Sequence, residues 1–166
     1  MAYVVGIPIL VLLAIIQSAV LSHIGLLDGR PDLVLLAVVG WSLTGRWREA
    51  MVWGFLGGLL LDLLSGVPFA TSAVAFVIVA SFASLLEGRF WEANLLIPLG
   101  VTLAGSFVYH GVAIGALLIA GRPIDLELAA TRVILPSTFL NLVFSIPAAQ
   151  LAGSLHRSLF PPEVAI

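Results

Sequence analysis

From Ala93 to Gly121 the chain carries no Asp, Glu, Lys or Arg, and a second such gap runs from Val133 to His156. A helix needs about 20 residues to cross roughly 30 Å of hydrocarbon, and both gaps supply them. Further uncharged windows cover 1–27, 33–45, 50–61 and 63–86. With 61% hydrophobic and 10% charged residues among 166, the apolar surface is more than a water-soluble domain of this size can enclose. The sequence therefore predicts an all-α integral membrane protein. It excludes a separate soluble domain and a nucleic-acid binder, which would need a basic surface.

Six spans are expected, at about 3–22, 31–45, 49–65, 68–86, 94–120 and 132–154, in one transmembrane domain covering 1–166. The second and third windows are short and borrow Pro31, Asp32, Trp47 and Glu49 from their flanks. A rival with four spans and a re-entrant hairpin over 31–65 stays open. The first window lacks a preceding positive charge and is too long for a cleaved leader, so it reads as an uncleaved helix. An even number of spans puts both termini on one side. The excess of Arg46, Arg48, Arg89 and Arg157 over Arg30, Arg122 and Arg132 makes that side cytoplasmic. Trp41, Trp47, Trp53, Phe90 and Trp91 are expected to form aromatic belts at the membrane surfaces.

The most informative stretch is 29–76. On a helix, Gly54, Gly58, Asp62 and Ser65 share one face. Glycines four apart let another backbone approach, and an acidic group in a span should face protein or water. This stripe is read as a partner-binding or helix-packing face. Pro31 and Asp32 open the second span, Pro31 as a first helical residue and Asp32 against the helix dipole. Gly66 and Pro68 mark the turn after the third. Arg132 or Arg30 is the expected partner of Asp62, with Asn141, Tyr109 and His110 as deeper alternatives.

Small residues recur at Gly100, Ala104, Gly111 and Gly115, and prolines break the last span at Pro136 and Pro147. Spans three, five and six are thus expected around a cavity or docking groove, with one and four towards lipid. Catalytic patterns are missing. There is no cysteine, the three histidines His23, His110 and His156 are scattered, and no HExxH, phosphate loop or GxSxG occurs. Ser106 and His110 lie four apart, but one Ser and one His on a helix usually only pack. No enzyme activity, metal or cofactor is expected.

Arg30-Pro31-Asp32-Leu33, Gly54-Phe55-Leu56-Gly57-Gly58, Leu61-Asp62-Leu63-Leu64-Ser65-Gly66 and Ala73 together resemble the core pattern of the bacterial rod shape-determining MreD family. The patterned similarity covers 30–75. One departure is Ala70, where the family usually has glycine; another is the absence of basic residues at the N-terminus. The resemblance implies a non-enzymatic subunit of the cell-elongation machinery in the cytoplasmic membrane. It implies MreC as direct partner and, through it, MreB, RodA and a penicillin-binding transpeptidase. It also implies a fold similar to the six-helix substrate-binding subunits of energy-coupling-factor transporters. The runner-up function is therefore a small-molecule-binding membrane subunit.

Overall fold

The computed structural model describes residues 2–21, 28–85 and 95–161. The parts of the expected connections at 22–27 and 86–94, with His23, Arg89, Phe90 and Trp91, lie outside the described residues, as does Pro162. Apart from a lone bridge at Gly29, the ordered elements among the described residues are helical. In chain order they are α1 (Ala2–Ile15, continued by a π-helical turn Ile16–Val20), α2 (Leu33–Ser42), α3 (Trp47–Leu64), α4 (Thr71–Ser84), α5 (Leu96–Ile119) and α6 (Leu126–Leu159). α6 contains its own π-helical turn at Ala129–Ile134, and it starts earlier and ends later than the expected span. α5 and α6 are long and apolar enough to cross a membrane.

α2 departs most from the expected spans. Asp32 caps it, Oδ1 accepting from Leu35 N at 2.9 Å, so the helix starts at Leu33 with Pro31 outside it. Ten helical residues rise only about 15 Å, half a bilayer. The preceding segment, Asp28 to Asp32, is not helical. Its amides instead bond to α6: Asp28 N to Arg132 O (3.2 Å), Arg30 N to Ser137 Oγ (3.0 Å) and Asp32 N to Asn141 Oδ1 (2.7 Å). Irregular backbone at depth requires such partners, because an unsatisfied amide in an apolar interior is costly. α2 is also the most enclosed helix: Val34, Leu35, Val38 and Trp41 are wholly buried.

The core joins α2 to α1, α3, α4 and α5 through Leu10, Leu35, Leu61, Phe76, Val79 and Val101. Trp41 and Trp53 stack in it with ring centroids 4.5 Å apart. They are therefore core residues and not the belt residues expected. Trp41 Nε1 donates to Glu49 Oε2 at 3.2 Å, so the indole can be buried without losing its bond. Glu49 also pairs with Arg46, whose guanidinium lies 3.6 Å from the Phe160 ring centre, tying the end of α6 to the α2–α3 turn. Trp47 remains partly exposed.

The outer faces are apolar, with Leu63, Phe69, Leu96, Ile119, Phe139 and Leu151 among the exposed large side chains. α4 is not the peripheral helix expected. Ala73, Ala75, Phe76, Ala80 and Ala83 are buried, and its face meets α3. Three glycines of α5 are peripheral instead: among the described residues, a Cβ placed on Gly100, Gly111 or Gly115 would meet nothing within 4 Å, whereas one on Gly105 would meet Val79 at 3.0 Å.

The turn into α4 requires a left-handed residue, and Ala70 occupies it with φ 70°. A Cβ in that conformation costs roughly 1–2 kcal/mol, which glycine avoids. The departure from the family pattern at this position thus carries strain. Ala70→Gly is expected to raise stability by about 1 kcal/mol, seen as a higher midpoint in thermal unfolding of the purified protein; a lower midpoint would contradict the assigned turn.

Candidate functional site

Helix α4 begins without a cap of its own. Ala70 has no side-chain acceptor, so the amides of Ser72 and Ala73 point into the bundle unpaired by their own helix. Asp62, on the last turns of α3, supplies the missing acceptor. Ser72 N lies 2.9 Å from Oδ1 and 3.1 Å from Oδ2, and Ala73 N lies 3.4 Å from Oδ2. The carboxylate is only 5% exposed and sits at the positive end of the α4 dipole. The expected partners Arg30, Arg132 and Asn141 do not bond to it. A guanidinium would have to leave water to reach this depth, whereas the α4 amides are already buried and need an acceptor whatever Asp62 does.

The glycines beside Asp62 explain how the two helices come close enough. A Cβ on Gly58 would stand 2.4 Å from both Ala73 Cα and Ala73 N, and one on Gly54 would stand 3.0 Å from Phe76 C and O. The Gly54–Gly58–Asp62 ridge is therefore covered by α4 of the same chain and is not an open face for another protein. Ser65, next on that face, is exposed at the end of α3. Gly66 follows in the turn, its carbonyl accepting from Arg122 Nη1 at 2.8 Å. Pro68 O accepts from both Thr71 N (3.2 Å) and Thr71 Oγ1 (2.6 Å), fixing the approach to α4.

Asp32 and Asn141 form the second polar junction. Asn141 is 1% exposed; its Oδ1 takes Asp32 N, and its Nδ2 donates to Ser106 Oγ at 3.0 Å. One amide thus links α2, α5 and α6. Gln17 Oε1, from the π-helical turn of α1, accepts Val34 N at 3.2 Å and adds the remaining side. Ser106 Oγ is used by Asn141, and His110 Nε2 is buried without a partner among the described residues, so these two residues do not form a nucleophile–base pair. Among the described residues no group of three or more His, Cys, Asp or Glu could hold a metal.

A cavity of about 500 Å³ lies between these junctions. Asp32, Asn141 and Ser137 form part of its buried floor, and Tyr109 and His110 come from α5. Asp28, Arg30, Ser65 and Gly66 form an exposed rim. Helices α3, α5 and α6 line it as expected, but α1 and the start of α2 line it too.

Both acidic junctions, at the Arg-Pro-Asp-Leu and Gly-Gly-Leu-Leu-Leu-Asp motifs, thus hold the ends of helices. Residues 1–151 match the rod shape-determining protein MreD. The chain belongs to the MreD family. That family is one of membrane proteins of the rod-shape machinery, so the apolar outer faces of this MreD member have a physical reason. No curated protein and no solved structure matches the chain. The expected likeness to energy-coupling-factor transporter subunits finds no support. Sequence reasoning missed the roles of Ser72, Ser106 and Gln17. A signal for the first was present, since a helix start with no capping residue at Ala70 needs an acceptor from elsewhere.

Proposed function

We propose that this MreD family member is a non-enzymatic, multi-pass scaffold of the bacterial cytoplasmic membrane. It binds MreC and thereby helps position peptidoglycan synthesis during elongation, with both termini in the cytoplasm. The single observation supporting a structural role is the use of the buried carboxylates. Asp62 caps α4 through both oxygens and Asp32 caps α2 through one, instead of facing a nucleophile or base. MreB, RodA and a penicillin-binding transpeptidase would be reached indirectly.

With the α3 ridge covered, the partner's span needs another small-residue face, and α5 offers one. Gly111 and Gly115 are four apart, and among the described residues nothing comes within 4 Å of a Cβ placed on either. Gly111→Leu with Gly115→Leu is expected to abolish co-purification with MreC at unchanged membrane level and thermal stability. Retained MreC in that double variant would remove α5 from the contact.

A further inference from the structure

We propose that the cavity beneath Arg30 and Ser65 binds a compact organic cation, a primary ammonium or guanidinium group, with Asp32 Oδ2 as its counter-ion. Asp32 is 5% exposed and lines the cavity. Its Oδ1 is used by Leu35 N, but Oδ2 is buried with no hydrogen-bond partner among the described residues. No ion pair joins it to Arg30, whose side chain lies out on the rim. A buried carboxylate oxygen without a donor is costly.

The other cavity walls suit the same class of ligand. Tyr109 brings an aromatic ring, packed 5.3 Å from Phe76, and aromatic faces attract ammonium and guanidinium groups. His110 Nε2, also unpartnered, offers a second position for a hydrogen bond. Asp28, Arg30, Ser65 and Gly66 leave the rim exposed, so a solute can enter from the surface of the bundle. The proposal is independent of scaffolding, and its readouts do not involve MreC on α5.

The cation could be a free solute or a basic side chain of another protein, and two arms separate these sources. In the first, the full chain in nanodiscs is titrated with n-butylammonium chloride while tryptophan fluorescence follows thermal unfolding. Sodium chloride, tetramethylammonium chloride and 1-butanol serve as controls. A saturable rise in midpoint with butylammonium alone is expected, with apparent affinity weakened at least about tenfold in Asp32→Asn. Asparagine still caps α2, so that variant keeps its fold. In the second arm, a photo-crosslinking residue at position 65 is activated in native membranes. A captured peptide that carries Lys or Arg, and is lost both in Asp32→Asn and when that basic residue becomes Ala, assigns the cation to a protein. An equal response in Asp32→Asn, an equal response to 1-butanol, or silence in both arms overturns the proposal.

Discussion

Gly58→Leu is expected to prevent accumulation of folded protein. Even the first carbon of the new side chain would lie 2.4 Å from the α4 backbone at Ala73 and 2.6 Å from Ser72 C, where no side chain can swing away. The helices must separate, and with them the carboxylate of Asp62 and the amides that it holds. Overpacking costs about 1–3 kcal/mol, and the lost cap adds roughly 1–3 kcal/mol for each amide left unsatisfied. Together these approach the stability of a typical domain. Gly54→Ala should be far milder, since its 3.0 Å contacts require a shift of only a few tenths of an ångström. Fluorescence-detected size exclusion of tagged variants checks both: a monodisperse Gly58→Leu peak at normal yield would contradict the α3–α4 contact.

The second large effect belongs to Asp62, and four substitutions there and at the arginines separate a cap from an ion pair. Asp62→Leu removes every acceptor for Ser72 N and Ala73 N, and a loss of about 3 kcal/mol or more is expected. Asp62→Asn keeps one oxygen for Ser72 N but turns its amide towards Ala73 N. It also gives up the charge that complements the helix dipole, for a loss of about 1 kcal/mol. Arg30→Ala and Arg132→Ala should leave stability unchanged, because neither side chain holds Asp62. Thermal unfolding midpoints of the four purified variants give the order. An arginine variant as damaged as Asp62→Leu would restore the ion-pair reading that the geometry replaces.

These two junctions also divide what composition and spacing can say from what they cannot. The placement of Gly54, Gly58 and Asp62 on one face follows from helical periodicity alone, and the apolar windows locate the helices. The length of α2 is less accessible. An uncharged run over 33–45 looks like a span, yet the helix ends at Ser42 because the chain turns through Gly45 at φ 85°. Trp41 shows the same limit. A tryptophan near a helix end suits a membrane surface equally well until a partner such as Glu49 is brought to its N–H.

Composition and helical spacing are enough for an all-helical, lipid-compatible chain and for a close-packing, acid-bearing face on α3. Hydrophobicity and periodicity are properties of neighbouring residues, and they act whatever the rest of the chain does. Only the packed bundle selects what meets that face, gives Asp62 backbone amides instead of arginines, and lets Asn141 join three helices through Asp32 and Ser106. Each depends on which buried donors lack an acceptor once helices have crossed, and desolvation then favours amides already inside over charges that water can keep.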